Sequence, residues 1–92
     1  MAKPQISWAK DPNYNPRALI EELKTRRHLR SDAELADLLG VDRAYLREQA
    51  RGARPIGFAM LLYVVYEYTE LNLDQIFWYM GIRDASIYLT GG

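Results

Sequence analysis

Ninety-two residues, 49% hydrophobic and 26% charged, fit one globular domain with a single core and leave no room for a second. Twelve Lys or Arg balance twelve Asp or Glu, so a chain that is basic all over is excluded and only the placement of charge can point to a polyanion. The absence of cysteine excludes disulfides, thiol catalysis and Cys-based zinc sites, and is in keeping with a reducing cytosol.

The longest apolar run, residues 56–66, is about half of a membrane span. The N-terminus has no apolar signal core, so a cytoplasmic protein with no membrane partner is expected. Charge is laid out unevenly. Residues 24–54 hold Lys24, Arg26, Arg27, Arg30, Arg43, Arg47, Arg51 and Arg54 against Asp32, Glu34, Asp37, Asp42 and Glu48. Residues 55–92 hold Arg83 against Glu67, Glu70, Asp74 and Asp84. The middle is basic and the C-terminal third acidic, a layout that can steer a protein onto a polyanion with its far side free.

In chain order, residues 1–14 contain two prolines and no helical period, which predicts an extended or disordered arm. Asn15 followed by Pro16 reads as a cap and first helical position, opening a helix to about Arg27 with Leu19, Ile20 and Leu23 inward. The run "KTRRHLR" is a basic bend. Ser31 and Glu34 predict a capping box for a second helix, with Leu35, Ala36, Leu38 and Leu39 buried and Gly40 as its stop. Asp42 caps a third helix that ends at Gly52. Pro55 opens a fourth helix to about Tyr68, and Asn72 with Gln75 caps a fifth through Met80. Residues 15–81 thus form the domain, an all-α compact bundle of five short helices. Residues 82–92 form a tail, with one β-prone patch at residues 87–89 and a possible role in a dimer contact.

Two helices joined through Gly40 and Val41, the second starting on a capping Asp, make a helix-turn-helix pattern. Such a turn sets one helix across the DNA backbone and the next into the major groove. The wider stretch "DAELADLLGVDRAYLREQARGARPI", an apolar helix and "LNLDQIF" resemble the Cro/repressor family, that is, lambda-repressor-like or Xre-type DNA-binding domains, over about residues 16 to 80. There are departures from the family pattern: Gln49 and Ala50 replace an aromatic residue and Glu, and Glu70 stands where a helix-ending Gly is usual.

The resemblance implies double-stranded DNA as partner and no cofactor. By position, Arg43, Ala44, Arg47 and Glu48 would face the bases; Arg can pair with guanine and Glu with cytosine N4. Ser31, Arg26, Arg27, Arg30, Arg51 and Arg54 would hold phosphate. Asp32, Asp42 and Glu48 lie on the same side as acids that would oppose it. The alternative for the arginines is a solvated face, and for the basic bend a cation-rich helix end.

His28 stands without a second His or Cys and Ser31 without a base, so neither a metal site nor an enzyme is expected. The helix "FAMLLYVVYEY", apolar nearly all round, and the aromatics after it exceed what so small a core can bury. A homodimer using Tyr63, Tyr66, Tyr68, Trp78, Tyr79 and Tyr88 is the expected use. The reading is a dimeric transcriptional regulator that represses by occluding operator DNA. The alternative is a protein-interaction module on the same fold, meeting another regulator through its aromatic surface.

Overall fold

The computed structural model describes residues 7–89, and over them every regular element is helical. Five helices form the bundle: α1 (Pro16–Arg26), α2 (Asp32–Leu39), α3 (Arg43–Arg51), α4 (Phe58–Glu67) and α5 (Leu73–Tyr79). A 3-10 turn, Ser7–Lys10, precedes them, and one helical turn, α6 (Ser86–Leu89), follows. No helix among the described residues is long and apolar enough to cross a membrane.

Side chains set four of the helix starts. The Asn15 side chain accepts the Ala18 N–H, with Pro16 in the first position. Ser31 accepts from Glu34 and Asp42 from Tyr45, while Asn72 and Gln75 form the full reciprocal box. Each bond satisfies an N–H that has no carbonyl one turn back. At Ser31 the predicted box is only half made, because the Glu34 carboxylate accepts from the Arg30 N–H instead of the Ser31 N–H.

The α2–α3 turn follows from Gly40 at φ +74, a left-handed conformation that costs a residue without Cβ nothing. The Val41 N–H then closes back on the Ala36 carbonyl at 3.0 Å. The same closure ends α1, where the Leu29 N–H bonds the Lys24 carbonyl at 2.9 Å. There the left-handed position is His28, at φ 56. This assigns the lone histidine a place at a helix end, away from any cluster of ligands.

α2 packs closely on α3, α1 lies against both, and α4 and α5 close the other side. The core runs through Leu19, Ile20 and Leu23, Leu35 and Ala36, Leu46, Met60, Leu61 and Val64, and Ile76 and Phe77. Apolar burial on the order of 25 cal/mol per Å² is the main stabilising term.

Three boundaries differ from the sequence expectation. Residues 7–14 are not an extended arm: Trp8 is buried and donates its indole N–H to the Ile56 carbonyl at 2.7 Å. α4 starts at Phe58 rather than Pro55, because that carbonyl and the Ile56 N–H, bonded to the Tyr14 hydroxyl at 3.2 Å, are drawn out of the helical ladder. Residues 86–89 are a helical turn, not a strand, with the Tyr88 N–H on the Ala85 carbonyl. Residues 1–6 of the expected arm and residues 90–92 of the tail lie outside the described residues.

Candidate nucleic-acid interface

α3 buries Leu46, Gln49 and Ala50 against α1 and α2. At about 100° per residue Ala44 and Glu48 lie most nearly opposite that buried side, with Arg51, Arg47 and Arg43 in a row along one flank. Arg43, Ala44, Arg47 and Arg51 are exposed and Glu48 is half-buried. The side chain of Gln49 anchors the helix from inside, its amide donating to the Pro55 carbonyl at 3.3 Å. Its own carbonyl oxygen is buried without a partner.

The arginines of this row differ in their engagement. Arg43 folds back onto Asp37 of α2 through two bonds, Nε to Oδ1 at 3.0 Å and Nη2 to Oδ2 at 2.6 Å. Those bonds hold the Asp37 carboxyl below its ordinary range. Arg54 reaches Glu48 at 3.4 Å and lies 4.9 Å from the centre of the Tyr45 ring. Arg47 and Arg51 have no ion pair among the described residues. Ala44 and Glu48 thus hold the middle of the outward face, and Arg51 and Arg47, two cations without acidic partners, run along its flank.

A depression of about 330 Å³ runs along that face, lined by Ala44, Arg47, Glu48 and Arg51 together with Arg17 and Asp32. Arg17, from the first turn of α1, is absent from the sequence expectation, since only the packing of α1 across α3 brings it there. A neighbouring hollow of about 710 Å³ shares Arg17 and Arg51 and is also lined by Lys10, Tyr14 and Pro55.

The acids expected to oppose phosphate are mostly occupied. Asp42 accepts the Tyr45 N–H at 2.9 Å as the cap of α3. Asp32 is bonded by Arg17 and by Lys24, each at 3.0 Å. Burial pushes its carboxyl up, but the Arg17 and Lys24 bonds outweigh that and hold it below the usual range. Its charge is spent inside the α1–α2 contact.

The other expected phosphate contacts divide. Ser31 uses its oxygen lone pair as a cap, which leaves its hydroxyl proton to donate outward. Arg30 is exposed, and its side chain has no ion pair among the described residues. Arg26 and Arg27 do not join the α3 face. They sit nine and ten residues beyond Arg17 along α1, about 14 Å at 1.5 Å per residue. Arg27 donates to both Glu70 oxygens, at 2.9 and 3.0 Å, and stacks 4.1 Å over Tyr68. Arg26 bonds Glu22 and the Tyr79 hydroxyl. Their charges staple α1 to the α4–α5 connection.

The six aromatic residues expected at one subunit contact also separate. Tyr68 is wholly buried and donates to the Leu23 carbonyl at 2.7 Å, so it belongs to the core. Tyr79 takes Arg26, Trp78 lies under Arg83 at 4.0 Å, and Tyr88 donates to Asp11 at 2.7 Å. Trp78 on α5 and Tyr63 and Tyr66 on α4 remain exposed, the two tyrosines beside Phe58 and Leu62, which were not among the expected contacts.

No protein-family model, curated protein or solved structure was found to match the chain. Among the described residues no group of three His, Cys, Asp or Glu could hold a metal ion.

Proposed function

We propose that the chain is a cytoplasmic transcriptional regulator that binds double-stranded DNA through a helix-turn-helix formed by α2 and α3, as the Cro/repressor resemblance implies. The observation that carries this reading is the outward face of α3. Arg47 and Arg51 stand there without acidic partners while Asp32, the nearest acid of α2, is neutralised by Arg17 and Lys24. In this reading α3 enters the major groove, Arg47 and Ala44 meet base edges, and Arg51, Arg30 and the Ser31 hydroxyl hold phosphate. Occupying an operator as a homodimer blocks polymerase, which makes repression by occlusion the simplest regulatory outcome.

Salt dependence tests it. Two cationic phosphate contacts per copy, Arg30 and Arg51, make four per dimer, and at a slope near −0.9 per contact affinity for a duplex falls roughly 100-fold between 50 and 200 mM salt. Affinity that is flat across that range contradicts DNA binding.

A second reading has its own support. Arg43 and Glu48, two of the expected base readers, are already paired with Asp37 and Arg54, and α4 exposes an apolar face. A protein-interaction module would use that face and tolerate salt.

A further inference from the structure

The outward face of α4 has no role in the DNA reading, and its composition is unusual for a surface helix. No charged residue lies between Arg54 and Glu67. α4 buries Met60, Leu61 and Val64. Opposite them it exposes Phe58 at 54%, Leu62 at 64%, Tyr63 at 49% and Tyr66 at 84%. At about 100° per residue these four, with Ala59, cover a sector of about 140° centred opposite the core.

We propose that this face pairs with the same face of a second copy, in an antiparallel two-fold contact centred on Leu62. Two observations select a second copy over a different partner, and a third lowers the cost of contact. The face offers no charge with which to select an acidic or basic protein, whereas an uncharged surface meets itself without repulsion. Phe58, Leu62 and Tyr66 recur every four residues, so the pattern is symmetric about Leu62: reversing the helix lays Phe58 of one copy on Tyr66 of the other. Phe58 is already braced edge-on against the Trp8 ring at 5.0 Å, which reduces the ordering cost of contact.

Area sets the strength. Taking about 200 Å² for a large exposed side chain, the four residues offer roughly 500 Å² per copy, or about 1,000 Å² in all. That falls below the 1,200–2,000 Å² of stable complexes, so the dimer is weak and concentration-dependent. It would be completed on two adjacent half-sites, where DNA supplies the effective concentration. This last step rests on the proposed function; the self-association itself does not.

Sedimentation equilibrium of the whole chain without DNA, from micromolar to millimolar, tests the pairing directly. The expected result is a monomer–dimer equilibrium that salt leaves unchanged, abolished by Leu62→Asp and kept by Trp78→Ser. Because the chain has no cysteine, Leu62→Cys should form a disulfide-linked dimer on oxidation while Trp78→Cys should not. The exposure of Leu62 keeps these variants folded, and circular dichroism verifies that. A chain that stays monomeric to millimolar overturns the proposal and leaves the face to another protein. Association that survives Leu62→Asp overturns it as well. Loss of DNA binding with self-association intact would strike the proposed function and leave this contact standing.

Discussion

Arg43 and Asp37 hold each other across the α2–α3 turn through paired bonds of 2.6 and 3.0 Å, so the first arginine of α3 leans away from the middle of the outward face. Both side chains are more than half exposed, and exposed ion pairs contribute little against a bidentate contact with guanine. The pair therefore acts as a catch that DNA can open.

Asp37→Asn removes the competitor, and we expect it to raise DNA affinity several-fold at low salt while steepening the salt dependence by about one contact. Arg43→Ala lowers sequence preference, whereas Arg51→Ala weakens binding to all sequences alike. Titrations of specific and scrambled duplexes distinguish the two patterns. Equal loss of preference from both variants contradicts the division of roles.

The N-terminal turn is predicted to be part of the fold. Trp8 packs edge-on against Phe58 and Phe77 and bonds Ile56. Trp8→Ala should cost about 3–5 kcal/mol in urea unfolding. A cost near zero would mean that residues 7–14 are a loose arm after all.

Charge and burial give stability two pH limits. The bonds from Arg27 hold the Glu70 carboxyl at about 2, against 4.5 in an unfolded chain. Its contribution is complete above pH 4.5 and is lost as pH falls toward 2. Burial pushes the Tyr68 hydroxyl up to about 12 from 10, with the nearby Arg27 charge only partly opposing this. That contribution is complete below pH 10 and is lost as pH rises toward 12. Denaturant unfolding across pH should show both slopes, with Arg27→Ala flattening the acid limb and Tyr68→Phe the alkaline one.

His28 holds a left-handed conformation at the end of α1. His28→Gly is expected to stabilise the fold by about 1 kcal/mol, because glycine escapes the Cβ clash. The melting temperature reads this out. A destabilised variant would indicate that the His28 side chain has a structural partner.

The sequence makes legible what is decided within a few residues. Asn15, Ser31, Asp42 and Asn72 announce helix starts because their partners lie three residues on. Gly40 announces a stop for the same reason. The start of α4 is decided 48 residues away by Trp8 and 42 away by Tyr14, and no local signal carries that.

β-branched Ile87 suggested a strand at residues 87–89, but the chain supplies no strand to pair with it among the described residues. At the candidate site, helical spacing places Arg43, Arg47, Arg51, Ala44 and Glu48 on one face. Spacing within α3 says nothing of Asp37, which is six residues back on another helix, nor of Arg17, which α1 carries in. Composition alone cannot tell a core tyrosine such as Tyr68 from an exposed one. Its bond to Leu23 decides that.

Whether the α3 face reads DNA is decided by selection from random-sequence duplexes at low and physiological salt, with wild type and Arg47→Ala side by side. Wild type should enrich a two-fold-symmetric site, and Arg47→Ala should weaken that enrichment and relax its specificity. No enriched sequence at either salt from a folded protein would contradict it, leaving α2 and α3 as scaffold and α4 as the working surface.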